Sequence, residues 1–162
     1  MHSAQIKTHV GVFTAHFSER GLATLNFPDR PGKPAVDSDN APSDRVKKWL
    51  ALTKSALDSV LNGKSPNELP PYDLAVGTEF QRSVWEQMSA IPMGQTRSYG
   101  EIAGALGKPG ATRAVGSACG ANPIPVLIPC HRVLAAHGKL GGFSGGLEWK
   151  RKLLAFEGHG LL

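Results

Sequence analysis

The chain of 162 residues holds two cysteines, and the second stands in Pro129-Cys130-His131-Arg132, after the apolar stretch IPVLI. A thiol is a nucleophile only as its thiolate, with an ordinary pKa near about 8.5. An adjacent imidazole can lower that value or accept the proton, and it needs an orienting partner in turn, usually a carboxylate. Neighbouring residues of an extended segment point opposite ways, so His131 need not touch Cys130 directly, and a water can bridge them. Pro125 and Pro129 fix φ and stiffen the approach. The apolar run implies a segment buried on one side, with the thiol at its exposed end. Two uses compete for Cys130: reactive nucleophile, which the imidazole and the prolines favour, and small core hydrophobe. A zinc site is disfavoured, because the six histidines and two cysteines show no CxxC or HxxxH spacing.

The elements that must hold this segment follow from composition and pattern. Hydrophobic residues make up 41% of the chain and charged residues 19%, which argues against disorder. No run of about 18 apolar residues is present, so no membrane span is expected. The opening MHSAQIKTHV lacks a basic stretch followed by an apolar one, so no export signal is expected. Two cysteines in a cytoplasmic, reducing compartment are then free thiols. The formal charge is +5, and it is uneven: through Gly77 nine Lys/Arg oppose eight Asp/Glu, whereas from Thr78 on nine oppose five. A basic excess beside the cysteines suits a polyanionic partner, or simply a soluble surface.

Alternating apolar residues, among them Ile6, Val10, Val12 and Phe13, predict strands in the first 27 residues, with a turn at SERG (18–21). RPGKPAVDSDNAPSD is a loop by composition. Ser43 or Asp44 caps a helix running to about Leu61, with Val46, Trp49, Leu50, Leu57, Val60 and Leu61 on its apolar face. NGKSPNELPPYDLAVG stops that helix and crosses to a second lobe. There Thr78 caps a helix with Phe80, Val84, Trp85 and Met88 at helical spacing. Ser98 and Glu101 form a capping box for YGEIAGALG. Thr112 opens RAVGSACGAN, and LEWKRKLLAFEG is a last helix ending at Gly158. His137, His159 and the N-terminal histidines read as surface residues.

Two short helices joined by a tight turn, 98–106 and 112–120, form a helix-turn-helix pattern. The second carries Ala114, Gly116, Ser117, Ala118 and Gly120, small side chains that let its backbone approach another helix or a DNA groove closely. Arg113 at its start is suited to contacting phosphates or wedging into a base stack, or to a surface salt bridge.

At IPCHRV the chain resembles the O6-alkylguanine-DNA alkyltransferases, the single-use repair proteins of alkylated bases. The resemblance runs through GTEFQRSVWEQM, IPMGQTRSYGEIA, ATRAVG, NPIPVLIPCHRV and GGFSGGLEWKRKLLAFEG, in that order, over almost all of residues 77–158. It implies a two-lobed α/β fold. Residues 1–76 would form an RNase H-like lobe, a small antiparallel sheet with a helix, plus a linker. Residues 77–162 would form a mostly helical, winged-helix-like domain that binds DNA and accepts the alkyl group.

The resemblance also implies roles. Cys130 would accept an alkyl group from guanine O6, or from thymine O4 as a further candidate, in duplex DNA. His131 would take its proton through a water, and Glu157 would orient and charge-balance His131. Asn122 would brace the turn before the cysteine. Tyr99 would hydrogen-bond the flipped base and help protonate the leaving guanine. Arg113 would fill the gap in the stack, while Thr112, Ala114, Gly116 and Ser117 would line the minor-groove face. The carbonyls of Val133 and Cys130 and the Ser144 backbone would read the base edge. No metal or cofactor is implied, and the partner would be double-stranded DNA containing O6-alkylguanine, met by a monomer. Cys119 stands outside this scheme, on the recognition helix, as a thiol open to chance alkylation or oxidation.

Overall fold

The computed structural model describes residues 1–30, 41–141, 143 and 145–159. Ser144, assigned above to the base pocket, lies outside the described residues. Three strands, β1 (His2–Thr8), β2 (Gly11–Phe17) and β3 (Leu22–Asn26), form an antiparallel meander in that order. Period-two alternation buries Phe13, Ala15 and Phe17 of β2. His16 is buried as well, against the surface reading, because it lies on the central strand between Ser3 and Thr24 of its neighbours.

Helix α1 (Asp44–Leu61) begins at Ser43, whose Oγ accepts from the Val46 amide at 3.2 Å. It buries Val46, Trp49, Thr53, Ala56, Leu57, Val60 and Leu61, while Leu50 is only partly covered. β3 is an edge strand, and loops cover its outer side: the Leu22 amide bonds Pro71 O at 2.8 Å and the Leu25 amide bonds Pro123 O at 3.0 Å.

The second half is mainly helical. α2 (Glu79–Ser89) has a capping box between Thr78 and Gln81, and α3 (Tyr99–Ala105) has one between Ser98 and Glu101. Each such cap contributes about 1 kcal/mol. β4 (Arg97–Ser98), just before α3, pairs in parallel with β5 (Val133–Leu134). α4 (Thr112–Gly120) starts without a side-chain cap, so packing must hold it. Val115, Ala118 and Cys119 are buried, and Trp85 Nε1 on α2 donates to Ala118 O at 2.8 Å. Between β4's partner and α4 the chain makes a 3-10 turn at Cys130–Arg132; after β5 comes a second at Ala136–Gly138, then α5 (Leu147–Phe156). One continuous apolar core joins residues of the sheet, α1, α2, α3, α4 and α5.

Candidate active site

A 3-10 turn has about three residues per turn, so its successive side chains leave the axis some 120° apart. Cys130, His131 and Arg132 occupy one such turn, and each is buried. The turn is preorganised from behind. Asn122, itself buried, donates from Nδ2 to Ile128 O at 2.8 Å and accepts from the Ile124 amide at 3.0 Å. Between these anchors Val126 is held at φ 76°, a left-handed conformation that a β-branched residue adopts only under constraint. The Cys130 amide then bonds Ile128 O at 2.8 Å.

The thiol is not at an exposed end. Cys130 is 3% exposed, because the turn folds the sulfur inward where an extended chain would have carried it out. Burial pushes its pKa up to about 11, against the partial relief of a hydrogen bond from Asn122 and the charge of Lys150. At neutral pH the resting sulfur is therefore a protonated thiol, and a base must take the proton for it to react. Cys119 is also buried, its Sγ 3.4 Å from Met88 Sδ, and burial raises it to about 12. The expectation of a thiol open to chance modification is corrected on that ground: position 119 falls on the packed side of α4.

His131 is the base within reach. Its Nε2 lies 2.6 Å from Glu157 Oε2. Burial would raise the Glu157 pKa, but hydrogen bonds and charge from His131 and Arg132 outweigh it and hold the carboxyl at about 2. Glu157 is thus an acceptor, and the neutral imidazole carries its proton on Nε2. Nδ1 is left with its lone pair, buried and without a partner among the described residues. Burial, and to a lesser degree the cations Arg132 and Lys150, keep the imidazolium disfavoured against the pull of Glu157.

Sequence reasoning passed over two cations. Arg132 donates from Nε to Glu157 Oε1 at 2.7 Å, from Nη2 to Oε2 at 3.0 Å, and from Nη1 to Ile91 O at 2.8 Å. Lys150 is fully buried on α5; its Nζ donates to Val133 O at 2.7 Å and to Leu140 O. A signal existed. Trp149, Lys150, Leu153, Leu154 and Glu157 fall on one helical stripe, and all five are buried. A lysine and a glutamate on an apolar stripe need internal partners.

Tyr99 opens α3 beside α4: a Cβ at Gly116 would lie 3.8 Å from its ring, and one at Gly141 would lie 2.7 Å from its hydroxyl. Gly116 is therefore turned partly toward Tyr99 and is half-buried, whereas Thr112, Arg113, Ala114 and Ser117 of α4 are exposed. Val133 is buried next to the turn. A cleft of about 670 Å3 between Phe17, Arg45 and Trp49 contains none of these residues. Among the described residues no group of three or more His, Cys, Asp or Glu is placed to hold a metal ion, and no helix is long and apolar enough to cross a membrane.

Comparison with known proteins places the chain. The family described as the DNA-binding domain of 6-O-methylguanine DNA methyltransferase matches residues 79–159. A methylated-DNA–protein-cysteine methyltransferase of Methanosarcina barkeri is 40% identical over 161 residues, 96% of each chain. Its namesake in Mycolicibacterium paratuberculosis is 56% identical over 93 residues, so that match spans only 56% of either chain. A crystal structure of Mycobacterium tuberculosis OGT in complex with DNA superposes with a TM-score of 0.78 at 37% identity, covering 97% of this chain and 92% of that one.

Proposed function

The chain belongs to the methylated-DNA–protein-cysteine methyltransferase family, and from that premise we propose that it repairs DNA by direct reversal, moving a methyl or larger alkyl group from guanine O6 of a flipped nucleotide to Cys130. The buried sulfur beside an imidazole whose Nδ1 is unpartnered carries this reading. A water between Sγ and Nδ1 would relay the thiol proton to His131, giving imidazolium held by the Glu157 carboxylate. The thiolate then attacks the alkyl carbon, an S–C bond forms, and the C–O6 bond breaks with its electrons leaving on guanine. Tyr99 supplies the proton that neutralises the departing base and regains one from solvent, while the His131 imidazolium releases the thiol's proton to solvent, so that no net proton is consumed. The thioether is stable, so each molecule acts once, and no cofactor is required.

Several features support the remaining assignments. An alkyl group on O6 lies inside the duplex, and extrusion costs a few kcal/mol. The exposed Thr112, Arg113, Ala114 and Ser117 present a low face with one long cation, suited to a minor groove and to the vacated stack. Val133 O and Cys130 O each accept one hydrogen bond already, from Lys150 and from the Val133 amide, and each keeps a lone pair for a base edge. We read residues 1–76 as an RNase H-like lobe and 77–162 as a winged-helix-like lobe, on the meander with α1 and on the α3–α4 pair flanked by β4 and β5. We read the chain as a cytoplasmic monomer, and its free thiols suit a reducing compartment. Incubation with a duplex containing O6-methylguanine should add one methyl mass to the peptide holding Cys130. Unmodified protein still bound to the lesion would assign it to lesion recognition without chemistry, and repeated turnover on esters or amides to a hydrolase.

A further inference from the structure

Arg132 is buried and spends all three guanidinium nitrogens on buried acceptors. We propose that Arg132 is a positioning residue that sets the protonation of the His131–Glu157 pair, acting through Glu157; this rests on the alkyl-transfer reading above. The planar fork grips both carboxylate oxygens, which fixes the carboxylate's rotation and aims Oε2 at His131 Nε2. The third contact, to Ile91 O, ties the fork to the segment after α2, so the carboxylate is held to the frame of the molecule and not only to the end of α5. A lysine in the same place is a point donor and could not bridge both oxygens.

The direction of the effect does not depend on which partner holds a proton. The pair takes up one proton as the pH falls, and that uptake is shared by both groups. A fixed positive charge beside it opposes the uptake, and Arg132 lowers the pKa of His131 and of Glu157 alike. Among the described residues the other titratable groups beside the pair are Cys130 on the same turn and Lys150 on α5, and only Lys150 shares this sign. The pair is thus kept in the state that leaves Nδ1 able to accept a proton.

The test compares wild type with Arg132→Gln and Arg132→Lys by two readouts. Titration of the His131 ring nitrogens by NMR reports the pair directly and needs no activity. Single-turnover methyl transfer against pH reports its use. In Arg132→Gln the pair's midpoint and the acid limb of the rate profile should both move up by about one pH unit, and the rate at neutral pH should fall about threefold or more. Arg132→Lys, which keeps the charge, should hold both midpoints near wild type while slowing transfer; Arg132→Met, which removes it, stands in if the glutamine variant does not fold. In a charge-removing variant, a rate lowered equally at every pH with the titration unmoved would overturn the proposal and leave Arg132 a structural tie. Absence of transfer by wild type, with the NMR midpoint still shifted in the variant, would instead overturn the alkyl-transfer reading alone.

Discussion

Asp29 Oδ1 accepts a hydrogen bond from Trp149 Nε1 at 3.0 Å, across 120 residues of chain. The bond fastens the segment after β3 to the helix that carries Lys150 and leads to Glu157. Phe27 extends the same contact: its ring is 4.9 Å from that of Trp149 and 5.8 Å from that of Phe143. A Cβ at Gly145 would come within 2.4 Å of the Phe27 ring, so the glycine lets the loop before α5 lie directly on it.

Asp29→Ala should leave the indole N–H without its partner and cost about 1 kcal/mol. Thermal unfolding should fall by about 2–4 °C for a chain of this size. Gly145→Ala should cost more, about 1–3 kcal/mol, because the ring or the loop must move. An alanine at 145 with unchanged unfolding would show that the loop is not seated on Phe27.

Asn122→Ala should remove both anchors of the turn before Cys130. The Ile124 amide would be left buried and unpaired, at about 1–3 kcal/mol, while Ile128 O keeps its bond from the Cys130 amide. With its clamp gone, Val126 should relax from φ 76° toward ordinary values. A loss under about 1 kcal/mol in denaturant unfolding would contradict the clamp.

Acid should weaken the fold in a defined window. Glu157 drops from an ordinary 4.5 to about 2, worth about 3 kcal/mol when fully expressed. A carboxylate with a lowered folded-state pKa stabilises above its unfolded value, and that contribution is lost as the pH falls from about 5 toward 2. His131, held below its ordinary 6.5, adds loss of the same sign from higher pH, because the unfolded chain binds the proton more readily. Glu157→Gln should be less stable at pH 7 and show a flatter decline below pH 5, measured by urea unfolding across pH.

Cys130→Ala should bind an alkylated duplex about as well as wild type and transfer nothing. Arg113→Ala should weaken duplex binding and slow transfer from DNA, while a free alkylated base, which needs no extrusion, should be affected much less. Equal slowing on both substrates would contradict the stacking role.

The helices were readable because their ends carry local chemistry: Ser43, Thr78 and Ser98 accept from the amides three residues on, as their types and spacing foretold. α4 was readable only as small residues, since it has no cap and depends on Trp85 from another helix. The approximate inventory of the candidate site was legible from the resemblance, but its burial was not. An extended reading of IPVLIPC put the sulfur outside, and the 3-10 turn that draws it in is a product of tertiary contact. Arg132 and Lys150 stayed hidden for the same reason. The apolar stripe of α5 signals that Lys150 and Glu157 need internal partners, but not that these are Arg132 and the carbonyls of Val133 and Leu140.

The amide of Leu25 meets Pro123 O, so the bracing turn of the nucleophile also shields the rim of the meander. Cys130 is buried, so a methyl added to its sulfur would press on its surroundings, which include the turn braced by Asn122. A used molecule would then bare part of a strand rim, which invites pairing with other chains. Spent copies should therefore be stickier than fresh ones, and the chemistry of one repair would mark its own agent for removal from solution.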